Sequence, residues 1–414
     1  MESIVEERKL LRYTYLLCII LFLNIAFIGK QGFDKGAMIM GVIVCLLFAY
    51  SHFIITKFFP DGDKYILLFS NVLAVIGIGM LYRLDPSIAL KQLIWYTVGI
   101  AVFILVVVLF PSLTKFGKYR WFYMICTLIL MSMGSIFADP TNGSKNWVSI
   151  FGMTFQPTEF GKLSLVAYLA ATLQYYGLNL KGKSEFKKLK PLIEPGIVVM
   201  ISLGFMVFQK DLGSALIFFA ISVTMLFIAT SNIKYVLVCL GLFIIGGFIS
   251  YTMFDHVQVR FMIWGDPFKY GYDQGGQVVQ SLISIAEGGL FGTGLGLGYP
   301  TMIPVVTTDF IFAAICEEMG LLTGFSILIV HFLLFYRCMR VPVYGKNKFT
   351  RLLAVGYSTM IAAQVLVIIG GVVGAIPLTG ITLPLVSYGG SSMIITFFSL
   401  GILQKISEDG QTYE

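Results

Sequence analysis

The chain has 414 residues, of which 57% are hydrophobic and 12% charged, and its mean hydropathy is +0.86. Soluble domains average nearer 25% charged residues, so this balance argues against a water-soluble enzyme, a disordered chain or a disulfide scaffold. The net charge of +7 is spread over short connections and forms no basic domain, which argues against nucleic-acid binding.

Twelve apolar runs are predicted to cross a membrane, at about 12–30, 36–58, 65–83, 92–111, 119–138, 158–176, 191–209, 212–230, 235–254, 308–336, 352–375 and 386–404. Each approaches the ~20 residues that span ~30 Å of hydrocarbon at 1.5 Å per residue. The runs are continuous and lack the period-two alternation of an outer-membrane barrel. The expected fold is an all-α polytopic membrane protein with about 12 transmembrane helices and one large extracytoplasmic loop.

Basic residues set the orientation, because lysine and arginine are retained on the cytoplasmic side. With the N-terminus inside, 20 of the 29 basic residues fall on the cytoplasmic side, including the clusters Lys181–Lys190 and Arg337–Arg351. Both termini are therefore expected in the cytoplasm. The first run follows a charged segment but lacks a small-x-small cleavage site, so it reads as an uncleaved helix. The six cysteines lie in or beside spans with no metal-type spacing, and His52, His256 and His331 are scattered.

On this topology three non-helical stretches are extracytoplasmic, namely 139–157, 255–307 and Thr379–Ser392. Chemistry is expected there. Gly177-Leu-Asn-Leu-Lys-Gly182-Lys183-Ser184 matches the Walker A letters, but a P-loop needs a strand before it and a nucleotide fold after it. A predicted span precedes it and another follows within a few residues, so it reads as a solvated basic loop. Gly292-Thr-Gly294-Leu-Gly296-Leu-Gly298 reads as a turn region with close backbone approach.

Polar residues in or beside the spans are the candidates for function. Glu159 and Lys162 stand one turn apart and can meet on one helix face, either as a structural ion pair or as the lining of a substrate groove. Glu317 and Glu318 are expected about ten residues into the tenth span, roughly 15 Å deep, serving either function or pairing with a lysine. Asp211 and Asp309 each precede a span and read as helix N-caps. Asp266, in Trp264-Gly-Asp-Pro-Phe268, is held by Pro267 toward extended backbone, and such a dipeptide is by itself most often a turn.

Five ordered blocks resemble the SEDS family (RodA, FtsW, SpoVE). They are Gly143-Ser-Lys-Asn-Trp147 with Phe155-Gln-Pro-Thr-Glu-Phe-Gly-Lys162; Gln209-Lys-Asp-Leu-Gly-Ser-Ala215; Asp266-Pro-Phe268 with Gly271-Tyr272, Gln280-Ser-Leu282 and Gly288–Gly294; Thr307-Thr-Asp-Phe-Ile-Phe312 with Glu317-Glu318-Met-Gly320; and Pro377–Ser392. The chain departs from the family pattern where Asn146 replaces an arginine, and where Pro304-Val-Val-Thr307 lacks the usual acid and histidine. The family usually has ten spans, so the resemblance implies two additional N-terminal ones. The chain then divides into N-terminal helices over 1–118 and a SEDS core over 119–414 with a catalytic loop at 255–307.

The resemblance implies a peptidoglycan glycosyltransferase of the plasma membrane, serving cell division or cell shape, that polymerises lipid II at the outer face and works with a class B penicillin-binding protein. It makes Asp266 the catalytic base, with Glu159, Lys162, Lys145, Trp147, Lys210, Arg260, Gln280, Ser387 and Tyr388 as substrate-binding residues. Positive charge for the departing pyrophosphate would come from Arg260, Lys145, Lys210 and Lys269, or from a divalent cation such as Mg or Mn. Two other classes stay open on the residues alone: a flippase or transporter of lipid-linked precursors, and a non-enzymatic scaffold. A transporter would favour inverted repeats and helices broken at the midplane, and no repeat is present.

Overall fold

The computed structural model describes residues 2–28, 32–110, 112–138, 146–150, 153–177, 185–271 and 275–411. Every predicted run forms a helix: α1 (Glu2–Ile28), α2 (Lys35–Phe58), α3 (Tyr65–Leu84), α4 (Pro86–Leu109), α5 (Arg120–Phe137), α6 (Pro157–Leu173), α7 (Glu185–Phe208), α8 (Leu212–Thr230) and α9 (Ile233–Met253), then α12 (Ile311–Arg340), α13 (Lys348–Val372) and α14 (Gly390–Gln411). Between the last two groups lie α10 (Asp255–Gly265) and α11 (Gly276–Gly288), and a short hairpin of β1 (Val148–Ile150) and β2 (Met153–Phe155) precedes α6. Among the described residues, ten helices are long and apolar enough to cross a membrane. The two predicted runs outside that set are α6, with only 17 residues, and α14, whose second half carries Lys405, Glu408 and Asp409.

Local chemistry sets the helix starts. Asp34 accepts from the backbone N–H groups of Gly36 and Ala37 at 2.8 and 3.2 Å and opens α2. Asp85 does the same for α4, where Pro86 fills the first position, which needs no N–H donor. Asn347 and Thr350 form a capping box for α13. α3 and α13 are almost wholly enclosed and form the centre of the bundle, whereas α9 buries none of its residues.

The segment 255–307, expected as loop, contains two helices. α11 turns a face of small residues, Ser281, Ser284 and Gly288, inward, and a side chain at Gly288 would strike the backbone carbonyl of Cys316 in α12. α12 is broken at Gly320, whose φ of 83° and ψ of 165° only glycine adopts without strain. The break admits the glycine-rich turn, which is the close approach expected from its sequence. Thr293 and Gly294 donate backbone N–H groups to the carbonyls of Glu317 and Glu318 at 2.8 and 3.0 Å.

Glu317 and Glu318 stand six and seven residues into α12 rather than about ten. α12 starts at Ile311, so they are roughly 10 Å along it and face the turn. Glu317 Oε1 accepts from Tyr299 N at 2.6 Å. Glu318 accepts from Gly296 N at 3.1 Å and from Arg83 at 2.8 Å, so the cation that balances it is an arginine of α3 and no lysine. Most of the Walker-like stretch lies outside the described residues; helix α6, not a strand, precedes it.

Candidate active site

Residues from 146–147, 154–160, 210–211, 256–267, 277–282, 304–309, 371–382 and 388–394 gather around a cavity of ≈1870 Å³. Its wall includes Trp147, Glu159, Lys210, Arg260 and Tyr388, all expected from the sequence, and also His256 and Asp309. It draws on α4, α6, α10, α11, α13 and α14, which explains why residues 95 and 394 share one chamber.

At its floor, Lys162 is 1% exposed and donates to Glu159 Oε1 and to Gln364 Oε1, each at 2.8 Å. Gln364 is in turn fixed by donating to Thr382 O at 3.0 Å and to Ser392 Oγ at 3.3 Å. Glu159 reaches the cavity wall while Lys162 does not, so the pair both packs the bundle and faces the chamber. Asp211 is the N-cap of α8, accepting from Ser214 N at 3.0 Å, and it also gathers Ser214 Oγ, Gln156 and Thr158 at 2.7, 3.2 and 3.3 Å.

Lys210 stands just before this cap with φ of 62°, a left-handed conformation uncommon for a residue with a side chain, and is exposed on the wall. Arg260 donates to Leu378 O at 2.8 Å. Burial lowers the Arg260 pKa, and the nearby Asp211 and Asp309 carboxylates oppose that shift. Asp309 does not cap α12, whose preceding residue is Phe310 and which has no side-chain cap. Its carboxylate instead sits in the cavity wall beside Gly380, where burial pushes its pKa up to about 6 against the lowering effect of Thr308 and Arg260.

Asp266 closes α10 and is exposed; its Oδ1 accepts from Lys269 N at 3.2 Å. It stands at the rim, because its neighbours Trp264 and Pro267 line the cavity and it does not. Trp264 Nε1 donates to Gly374 O at 2.9 Å and docks this end of α10 on the bundle.

Two expected residues are elsewhere. Ser387 is 3% exposed, and its hydroxyl is consumed by donating to Thr308 O at 2.5 Å and accepting from Leu383 N at 2.9 Å, so it braces the wall without reaching the chamber. Gln280 lies on α11 outside the lining. Lys145 lies outside the described residues.

A second, apolar groove of ≈1170 Å³ runs between α7, α8 and α9, lined by residues such as Leu203, Leu216 and Phe243. It meets the polar cavity at Arg260, Ile376, Leu378 and Thr379, which belong to both. Among the described residues no three His, Cys, Asp or Glu side chains gather in a way that could hold a metal ion. Of the acids in the chamber wall, Glu159 is paired with Lys162, Asp211 caps α8, and Asp309 faces Arg260. These donors do not fit a divalent-cation site.

A bundle of long apolar helices enclosing a chamber that meets an apolar groove defines a multi-pass membrane protein. Residues 64–412 match the family model described as cell cycle protein, FtsW/RodA/SpoVE, and the chain belongs to that family. It is similar to the peptidoglycan glycosyltransferase RodA of Mycobacterium tuberculosis, at 35% identity over 400 residues covering 91% of this chain and 84% of that protein. It is also similar to the probable peptidoglycan glycosyltransferase FtsW of Bacillus subtilis, at 36% over 338 residues covering 77% and 80%. Its fold matches a chain from a peptidoglycan synthase complex that coordinates polymerization and crosslinking, with TM-score 0.70 and 24% identity over 84% of this chain and 98% of that one.

Proposed function

We propose that the chain is a peptidoglycan glycosyltransferase of the plasma membrane, which polymerises lipid II at the outer face for cell division or cell shape. The observation that carries this reading is the junction at Arg260. There a chamber whose wall carries Lys210, Arg260, Glu159 and Asp309 meets an apolar groove suited to a polyprenyl tail, with cations where the linking diphosphate would lie. The names of the relatives at 35% and 36% identity support the same activity.

In this reading Asp266, at the rim, takes the proton of the acceptor sugar hydroxyl as its oxygen attacks the donor anomeric carbon. The bond from that carbon to the diphosphate oxygen breaks, and its electron pair leaves with undecaprenyl pyrophosphate. Lys210 and Arg260 face the charge that grows on the leaving group. Glu159, held by Lys162, and the rings of Trp147 and Tyr388 offer hydrogen bonds and flat faces to the sugars. Lys145 and Gln280 keep the substrate-binding roles that the family resemblance implies, and Lys269 lies beside Asp266.

The basic asymmetry supports both termini in the cytoplasm, with 255–307 outside. The family match starts at residue 64, which supports α1 and α2 as additions to the family core. The family resemblance implies a class B penicillin-binding protein as the partner, and the chain of similar fold belongs to a complex that coordinates polymerization with crosslinking. Purified protein incubated with lipid II, with and without that partner, should yield glycan polymer and free undecaprenyl pyrophosphate. Lipid II moved between leaflets without any polymer would overturn the transferase reading in favour of a flippase.

A further inference from the structure

His256 has no role in the mechanism above, and the sequence patterns did not single it out. It is the second residue of α10 and forms part of the cavity wall. Its Nε2 is sheltered from solvent and has no hydrogen-bond partner, although buried polar atoms are normally paired. The ring packs on Phe254, with centroids 5.6 Å apart. Lys210 and Arg260 lie near enough for their charges to act on it. An unpartnered imidazole nitrogen beside two cations, in a chamber wall, lacks only an anion.

We infer that His256 is a binding residue for the diphosphate of the lipid-linked substrate, which it engages through Nε2 alongside Lys210 and Arg260, taking up a proton as the anion arrives. This rests on the transferase reading for the identity of the anion. In the free protein burial lowers the His256 pKa, Lys210 and Arg260 lower it further, and Asp255 opposes them. The ring is therefore neutral near pH 7, and two cations do not have to tolerate a third. A bound diphosphate reverses the sign of that field, so the protonated ring becomes the favoured form and its Nε2–H becomes a charge-assisted donor. The terminal torsion of histidine is soft, which lets the nitrogen turn to the chamber without moving α10. The proton comes from solvent, and no bond to carbon or phosphorus changes in this step.

Other charged groups face the same space: Lys210 and Asp211 from the turn before α8, Glu159 from α6, Asp255 and Arg260 on α10, and Asp309 ahead of α12. Their titration and that of the anion are common to parent and variant, so a ratio between the two isolates His256.

The probe is inorganic pyrophosphate, titrated into the purified full-length chain and read by tryptophan fluorescence, since Trp95, Trp147 and Trp264 line the cavity. His256→Gln keeps a neutral donor and His256→Ala removes it. At pH 6.5 the parent should bind about fivefold more tightly than His256→Gln, the difference between a charged and a neutral hydrogen bond. At pH 8.0 the ratio should fall toward one. His256→Ala should be weaker than both at either pH, and in the polymerisation assay the variants should raise KM for lipid II several-fold with little change in kcat. A parent-to-variant ratio near one at both pH values, for either folded variant, overturns the inference. Polymer formation with pyrophosphate affinity and KM indifferent to both substitutions sinks this inference and leaves the transferase standing. His256-dependent pyrophosphate binding in a protein that makes no polymer does the reverse.

Discussion

Lys162 Nζ lies 2.8 Å from Glu159 Oε1 and equally 2.8 Å from Gln364 Oε1, so one buried ammonium ties α6 to α13 beneath the chamber. Removing one member of a buried ion pair typically costs about 3–5 kcal/mol, because the remaining charge stays in low dielectric without its partner. Lys162→Met alone should therefore lower the Tm of the purified protein strongly. Replacing Lys162 and Glu159 together by Met and Gln should cost less than the worse single change. Simple additivity in the double-mutant cycle would mean that the two charges do not interact.

Asp266→Asn keeps shape but removes the lone pair that accepts the sugar proton. Loss of a general base typically slows a reaction ~10²–10⁴-fold, so polymer formation by the variant should nearly vanish. Asp266 is exposed, and its carboxylate accepts from Lys269 N, a bond that an asparagine oxygen can also accept, so Tm and membrane insertion should stay at parental values. A folded variant that still polymerises lipid II near the parental rate would end the catalytic assignment.

Arg83 and Glu318 connect α3 to the broken α12 at 2.8 Å, with the Glu318 side chain fully buried. Arg83→Leu should destabilise by about 3–5 kcal/mol and loosen the turn at 292–298, seen as faster hydrogen exchange at Gly294 and Gly296. Gly320→Ala tests the same joint from the backbone side. At φ of 83° a methyl group is strained and would also meet the carbonyl of Leu290, so little folded protein should be recovered. Recovery of parental yield and Tm would contradict the geometry.

Asp309 gives a pH dependence with a definite sign. Its pKa is raised to about 6 by burial, so the folded chain holds this proton more tightly than the unfolded chain does. The stability contributed by that proton is fully present below the unfolded carboxylate value, near 4, and is lost as pH rises through about 6. Asp309→Asn removes the effect, worth roughly 1–3 kcal/mol. The Tm of the parent should drop more between pH 5 and 7.5 than that of the variant. Parallel Tm profiles would show that Asp309 is not held in a desolvated setting.

Much of the fold was legible because lipid solvation writes itself into composition. A helix that must bury its backbone in hydrocarbon shows a continuous apolar run, and each of the twelve runs is helical. Contacts within one turn were legible for a similar reason. The i,i+3 spacing of Glu159 and Lys162 and the cap at Asp211 depend only on local geometry. The apolar content of α10 and α11 is too short a signal to separate from loop, and both helices were missed.

The sequence alone determined which segments form long apolar helices, which connections carry positive charge, and which short-range polar pairs can form, because each follows from the residues of one helix or turn. Tertiary structure decided the partners. Gln364, 202 residues from Lys162, completes the buried ammonium's shell, and Arg83, 235 residues from Glu318, balances that acid. It also turned Asp309 from an expected cap into a chamber acid, withdrew Ser387 into the wall, and brought His256 within reach of two cations' charges. No periodicity within a helix records which other helix it meets, and a charged or polar group takes its function from whatever that meeting places within a few ångströms.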